Sequence, residues 1–393
     1  MKRNIILILL LLIGNKVYSQ NIETFYNISN IELIPESFPL SLLNGYGNSG
    51  LLNDAANTGS INPAALANFD KKAVGISYQF GSKFNNPFAT EIFYERVNQI
   101  IPQSIGFVYP LEDLKIGLSM RQKYNTSILI GPVPITTVNN PDGTGQTFTP
   151  VYKTTVIDYS IGASYTFPEI FKNSFLTFGF RYGLDNLREY AEFYNIGINE
   201  SINSTDFAFG AMFTFKEEEN KYLQFGLSYE SELKFSKITK WNMDDNFPDP
   251  TAEGNQYMID YSSPIELIAQ LPSVLRFDFD ISTISKIKIL GSVSNIYWYP
   301  TLNYMNNQIE FTGSFVYLLN ETFSPSIGFI YMDRRYDEDV IFKDINRNDL
   351  FITGGLAAKY GNMNINVALA VGNILSNQVR IQTILELNIS YNF

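Results

Sequence analysis

The strongest constraint on the fold is a two-residue alternation of side chains that recurs along most of the chain. In YLQFGLSYESELKF, residues 222–235, one face carries Leu, Phe and Tyr while the other carries Gln, Gly, Ser, Glu and Lys. Residues 175–185 and 385–393 repeat the pattern. Successive side chains of a β-strand point to opposite faces, so each segment is expected to form a strand with one apolar and one polar face.

About fourteen segments of this kind can be marked, and the connections between them alternate in length. Every odd-numbered connection is longer than its even-numbered neighbours. Long loops at one end and tight turns at the other are typical of a transmembrane antiparallel β-barrel. We therefore predict an all-β barrel over residues 73–393, with strands at 73–81, 104–110, 114–128, 154–167, 174–190, 205–216, 221–235, 272–282, 287–299, 309–318, 323–333, 350–360, 363–372 and 381–392.

A soluble β-sandwich is the alternative that also contains alternating strands. It gives less reason for connection lengths to alternate, or for bulky apolar residues to oppose Gly, Ser, Thr and Asn on nearly every strand. No segment reaches the roughly 20 apolar residues of a membrane-spanning helix. The pattern favours the barrel.

The first nineteen residues have the features of an export signal. Lys2 and Arg3 precede an apolar run over 5–13, and Val17-Tyr18-Ser19 offers a cleavage site. We predict a signal peptide at 1–19 and an outer-membrane location in a Gram-negative bacterium, with both termini periplasmic. Removing the signal leaves 25 basic against 39 acidic residues, a net charge of −14, which argues against a nucleic-acid partner.

The chain contains neither cysteine nor histidine. Disulfides are therefore excluded as a source of stability. Catalysis that needs histidine is excluded too, as are histidine-ligated metal sites. We expect a protein that is not an enzyme and has neither a cofactor nor a metal site.

The segment before the first predicted strand differs in composition from the rest. SGLLNDAANTGSINPAALANFD, residues 49–70, is rich in small residues and nearly free of aromatics. A barrel of about fourteen strands encloses an open channel unless something fills it. We predict that residues 20–72 form a periplasmic and hatch segment, that Asn62-Pro63-Ala64 turns the chain, and that the amides of Asn57 and Asn62 bind inward polar faces.

The same segment resembles the N-terminal hatch of the long-chain fatty-acid transporter family, FadL, OMPP1 and TodX. The family pattern of an acidic residue, Ala, six residues and Asn-Pro-Ala is matched by LNDAANTGSINPAAL, residues 52–66. FAFGAMFTFKEEENKYLQFGLSYESELKF is similar to the sixth and seventh strands. The resemblance implies uptake of hydrophobic, fatty-acid-like compounds past a hatch and through a lateral opening at a kinked third strand.

Carried over to this chain, the resemblance assigns Asn62, Pro63 and Ala64 to the hatch, and Asn57 is added for its side-chain amide. Gly131 and Pro132 are candidates for the kink, or simply open the loop. Lumen-facing cations that would hold a ligand carboxylate are Arg121, Lys123, Arg181 and Arg276; the alternative is that they pair with inward acids such as Asp185, Glu230, Asp278 and Asp280.

One departure from the family concerns its capture loops. The connection after the fifth strand, AEFYNIGINESINS, is only about fourteen residues long, and residues 264–271 after the seventh suggest a short helix. The expected partners are outer-membrane lipid and a hydrophobic small molecule. The alternative function is a non-transporting accessory subunit bound to other outer-membrane proteins.

Overall fold

The computed structural model describes residues 50–393 except 53, 58, 82–83, 86–91, 96–99, 135–144, 146, 194–195, 219–220, 240–241, 244–264, 285, 298–306, 333–348, 373 and 375–381. The predicted signal peptide and residues 20–49 of the predicted hatch segment lie outside the described residues. The described part is β-structure, apart from the 3-10 helix Pro63–Asn68 and the connections. None of its helices is long and apolar enough to span a membrane.

Fourteen long strands form one closed antiparallel barrel. Each strand pairs with the next, and the first strand also pairs with the last, where Ala73 lies opposite Asn392. The predicted barrel is therefore confirmed. The strands are β1 (Ala73–Gly81), β2 (Ser104–Leu111), β3 (Leu114–Ile130), β4 (Val151–Phe171), β5 (Ser174–Phe193), β6 (Ile196–Glu218), β7 (Lys221–Glu230), β8 (Ser273–Ile284), β9 (Ile287–Tyr297), β10 (Gln308–Tyr317), β11 (Phe323–Met332), β12 (Asp349–Tyr360), β13 (Met363–Gly372) and β14 (Gln382–Asn392).

The distribution of side chains is the reverse of that in a soluble sandwich. On β4, Ile161 points outward and is 52% exposed, while the neighbouring Ser160 is 8% exposed. On β5, Leu184 is 55% exposed while Asp185 is 1% exposed. Apolar residues outside and polar residues inside are what a hydrocarbon solvent requires of a closed barrel. The structure is thus a transmembrane β-barrel.

The two ends of the barrel differ in their connections. At one end, here the turn end, the connections are short, as at 112–113, 172–173 and 361–362. Glu112, Asn173 and Gly361 have positive φ at these turns. The other end, here the loop end, carries longer connections such as 82–103, 131–150 and 333–348. Short strands within the connections are Phe84–Asn85, Ile92–Glu95, Val133–Pro134, Thr147–Phe148, Leu233–Thr239, Asn242–Met243 and Ile265–Leu271.

Two expectations about the loop end are wrong. AEFYNIGINESINS is not a loop: β5 and β6 are joined by residues 194–195 alone, and their pairing runs from Ile196–Phe193 down to Phe215–Ser174. Ile265–Leu271 is not a short helix but a strand paired with Leu233–Thr239. A short apolar run is compatible with the period of a helix and with that of a strand. Here the pairing with a neighbouring strand decides for the strand.

An outward-facing charge should destabilise the barrel. Phe180 points outward on β5 and lies 5.0 Å from Phe209 between ring centroids. We expect Phe180→Arg to cost about 2–4 kcal/mol, the cost of an arginine near the bilayer midplane. Urea titration of the barrel refolded into lipid vesicles measures this. Phe180→Leu is the control and should cost much less; equal losses would contradict the outward assignment.

Candidate functional site in the barrel lumen

Residues 50–69 cross the lumen and are hydrogen-bonded to strands around the barrel; we call this segment the plug. The Gly50 amide donates to Asp278 Oδ1 on β8 at 2.8 Å. Asn388 Nδ2 on β14 donates to Asp54 Oδ1 at 2.9 Å. Arg121 NH1 on β3 donates to the Ser60 carbonyl at 3.1 Å. Contacts to such widely separated strands place the plug inside the barrel.

The four residues assigned to the hatch all lie in the plug. Asn62 caps the 3-10 helix: its Oδ1 accepts from the Ala64 amide at 3.0 Å, and Pro63 is the first helical residue. Asn57 Nδ2 donates to Asp54 Oδ2 at 2.6 Å. These described bonds stay within the plug, whereas we expected both amides to bind the strands. Within the described part of the chain, Asn57 is linked to the barrel through Asp54, which accepts from Asn388 on β14.

Inward-facing glycines make room for the plug, and sequence reasoning did not identify them as site residues. A Cβ at Gly75 on β1 would overlap the backbone of residues 55–56, and one at Gly179 on β5 would overlap the backbone of Pro63-Ala64. Gly210 on β6 and Gly226 on β7 lie against the Asn62 side chain. Glycine on the polar face of neighbouring strands is the sequence signal that could have located this contact.

Asp54 is the ionisable residue that links the plug to β14. It is 3% exposed and accepts hydrogen bonds from Asn57, Asn388 and the Ala56 amide. Burial raises the pKa of Asp54 above its ordinary value, although these hydrogen bonds act in the opposite direction. The contribution of Asp54 to plug seating is therefore complete at low pH and is lost as the pH rises through the raised pKa.

Three of the four predicted ligand-binding cations lie in one ionic network on β3–β7, which we call the charge cluster. It consists of Arg121, Lys123, Arg181, Asp158, Asp185, Asp206 and Glu230. Glu230 Oε1 contacts all three cations, at 2.5 Å from Arg121 NH2, 2.9 Å from Arg181 NH2 and 3.4 Å from Lys123 Nζ.

The remaining carboxylates of the cluster complete the pairing. Asp158 Oδ2 lies 2.9 Å from both Arg121 Nε and Arg181 NH1. Lys123 Nζ lies 2.7 Å from Asp206 Oδ2 and 3.1 Å from Asp185 Oδ1. All three cations of the cluster are thus ion-paired with inward acids in the structure.

The fourth cation and the possible metal ligands fit the same picture. Arg276 NH2 on β8 lies 3.8 Å from Glu310 Oε1 on β10, and both side chains are buried. Carboxylate oxygens of Asp158, Asp185 and Asp206 lie within 4.8 Å of one another, close enough to share a metal ion. Lys123 Nζ already lies between two of these carboxylates and neutralises charge there.

On the loop-end side of the charge cluster, the inward face becomes apolar. Val156 on β4 and Ile202 on β6 both lie opposite Leu187 on β5, one inward position above the pair Asp158–Asp185. We call these residues, together with a buried apolar group on β8–β14, the apolar layer. That group consists of Val274, Ile296, Ile330, Met332, Phe351, Ala368, Ala370 and Ile384.

The barrel wall is irregular around residues 122–126 of β3, in the pairing of this strand on both of its sides. The pairing of β3 with β4 shifts between Gln122 and Tyr124, so Lys123 is the extra residue of a bulge. β2 pairs with β3 up to Arg121, and the strand Ile92–Glu95 pairs with residues 127–130. Among the described residues no strand pairs with residues 123–126 on this side; residues 96–99 are outside that description.

Side chains close this irregular part of the wall. Gln103 Nε2 donates to the Gln122 carbonyl at 2.8 Å, and Gln122 Nε2 donates to the carbonyls of Pro102 at 2.8 Å and Ile101 at 3.1 Å. We call this contact the glutamine bridge. Gly131 and Pro132, the predicted kink, follow the end of β3. The irregularity that the structure shows within β3 is at Lys123 instead.

Filling a glycine site should displace the plug. Gly179→Val places a side chain in the Pro63-Ala64 backbone, so we expect an increase in ion conductance in planar bilayers. Gly354→Val is the control, because a Cβ there meets only the Ser326 carbonyl at 3.9 Å. Equal conductance of the two folded variants would show that the plug does not seal the lumen.

Comparison with known proteins finds similarity at the level of fold. No protein-family model and no curated protein sequence matches the chain. The toluene transporter TbuX of Ralstonia pickettii superposes with a TM-score of 0.57 at 11% identity, over 91% of this chain and 98% of that one. The toluene transporter TodX of Pseudomonas putida gives 0.57 at 13%, with the same coverage. A FadL homologue of Pseudomonas aeruginosa gives 0.55 at 12%, again over 91% and 98%. The chain therefore has the fold of the FadL/TodX-type outer-membrane transporters.

Proposed function

We propose that this barrel takes up hydrophobic compounds across the outer membrane and releases them sideways through the wall. The observation that carries the proposal is the order of layers in the lumen. The apolar layer lies on the loop-end side, and the charge cluster and plug lie beyond it. An apolar molecule that enters from the loop end gains by leaving water at the apolar layer, because the free energy of transfer favours apolar surroundings.

Continued movement along the barrel axis is unfavourable for such a molecule. Beyond the apolar layer it would meet the ion pairs of the charge cluster, whose disruption leaves buried charges unpaired and costs about 3–5 kcal/mol. Beyond the cluster, the plug bonds to β3, β8 and β14. The glutamine bridge is the easier exit, because the described ladder between β2 and β3 ends there with the backbone hydrogen bond from Gln122 to Gln103 and the side-chain hydrogen bonds around it. It leads directly into the lipid.

Among the proteins of similar structure, TbuX and TodX are toluene transporters, and CymD is a monoaromatic hydrocarbon channel. For this chain we carry over only the class of hydrophobic compounds. The hatch-and-gate route belongs to this proposal, whereas the fatty-acid-like ligand stays a prediction from the sequence. The orientation, with loops outside and turns in the periplasm, and the export signal at residues 1–19 also belong to this proposal.

A reversible cross-link tests the lateral exit. The chain has no cysteine, so Gln103→Cys with Gln122→Cys introduces its sole thiol pair. The Gln122 amide donates to the Gln103 carbonyl at 2.8 Å, so the two residues are neighbours. We expect oxidation to stop uptake of a radiolabelled aliphatic or aromatic hydrocarbon by cells, and a reductant to restore it.

The matched control is a cross-link within the regular wall. Ser292 on β9 and Thr312 on β10 face the lumen with hydroxyl oxygens 2.8 Å apart, so their cysteine pair locks a ladder that is already continuous. Uptake should survive oxidation of this pair. Equal uptake in both oxidised variants would contradict lateral exit. Absence of uptake in the wild type, with stable co-purification of other outer-membrane proteins, would favour the accessory-subunit alternative.

A further inference from the structure

We infer that the lumen rejects anions, so that the substrate is a hydrophobic molecule without a negative charge. The inference rests on the proposed uptake function and narrows its substrate class. It differs from the expectation of a fatty-acid-like ligand, which required a lumen cation to hold a carboxylate.

The first observation is the sign of the charge inside the barrel. Among the described residues, the buried ionisable side chains comprise nine acids and four bases, an acidic excess of five. The acids are Asp54, Asp158, Asp185, Glu189, Asp206, Asp278, Asp280, Glu310 and Glu386, and the bases are Arg121, Lys123, Arg181 and Arg276. The half-buried Glu230 and Lys288 add one charge of each sign. This excess of acids makes the lumen less favourable for a further anion than for a neutral molecule of the same shape.

The second observation is that each lumen cation already has a carboxylate within ion-pair distance. Arg121 and Arg181 share Asp158 and Glu230, Lys123 lies between Asp185 and Asp206, and Arg276 faces Glu310. An entering carboxylate would have to compete with these carboxylates for their cations. It would also lose its own hydration, which is a large cost without a new partner.

The third observation is the position of the acids relative to the apolar layer. On the inward face of β5, Leu187 lies between Asp185 on the turn-end side and Glu189 on the loop-end side, and all three are buried. A molecule whose apolar part contacts Leu187 therefore has a carboxylate one inward position away in either direction. On β8, buried Asp278 follows Arg276 along the inward face, and its Oδ2 has no hydrogen-bond partner among the described residues. Such an oxygen attracts donors and repels another carboxylate.

The test compares ligands that share a chain length and differ in head group. Purified full-length barrel in nanodiscs is loaded with the neutral fluorophore N-phenylnaphthylamine, and dodecanol, dodecylamine or dodecanoate is used to displace it. We expect dodecanol to bind at least about 10-fold more tightly than dodecanoate, equivalent to about 1.4 kcal/mol of charge repulsion. Dodecylamine should bind at least as tightly as dodecanol.

Variants that remove a charge show whether dodecanoate binds weakly because its carboxylate is repelled or because its head group fits poorly. At pH 9, where both carboxyls are ionised, Glu189→Gln and Asp278→Asn each remove one negative charge and keep the size of the side chain, so the dodecanol-to-dodecanoate ratio should fall about 3-fold in each. Asp113→Asn, in the exposed turn between β2 and β3, is the control and should leave the ratio unchanged. Heat-modified mobility on electrophoresis confirms that each barrel is folded.

The outcomes distinguish the two proposals. Dodecanoate binding as tightly as dodecanol, or a ratio unchanged in both folded lumen variants, would overturn anion rejection and leave hydrophobic uptake standing. Failure of all three ligands to displace the fluorophore would overturn the proposed function and the inference with it.

Discussion

The hydrogen bonds that join β1 to β14 are the interaction on which the rest of the structure depends. A β-sheet can lie in hydrocarbon only if it has no open edge, because each unpaired backbone amide or carbonyl there costs several kcal/mol. The nine residues of β1 all have partners on β14, from Ala73–Asn392 to Gly81–Ile384. Closure also creates a lumen, and the lumen is where polar side chains must then be accommodated.

The lumen is filled by two kinds of contact that support each other. The plug fills space through close backbone approach, which inward glycines such as Gly75 and Gly179 permit. The charge cluster satisfies buried charges through shared partners, with Glu230 reaching three cations at once. Arg121 belongs to both, since it pairs with Asp158 and donates to the Ser60 carbonyl. Arg121 therefore connects the plug to the strand that carries the bulge at Lys123.

Sequence reasoning predicted the barrel and located its strands, because an outward apolar face and an inward polar face repeat with period two. Features that depend on which strands pair with each other were predicted less well, because the alternation within one strand does not specify its partner. Residues 191–204 fall between the predicted strands 174–190 and 205–216, because the apolar outward face ends before the paired strands do: Ser201 and Asn203 are exposed while Ile202 is buried. Ile265–Leu271 was ambiguous until the pairing with Leu233–Thr239 was known. The bulge at Lys123 leaves no mark in the sequence, since it is a mismatch between β3 and β4.

The sequence by itself determined the closed barrel, the faces of its strands and the presence of a small-residue segment before β1, because these follow from local periodicity and composition. Only the tertiary structure decided which charges meet. Arg121, Asp158 and Glu230 are far apart in the chain and become partners because three strands and the plug bring them to one level of the lumen. It also decided where the described ladder between β2 and β3 ends and side-chain hydrogen bonds add to it. Strand register is the alignment of two neighbouring strands, so the sequence of one strand alone does not specify it.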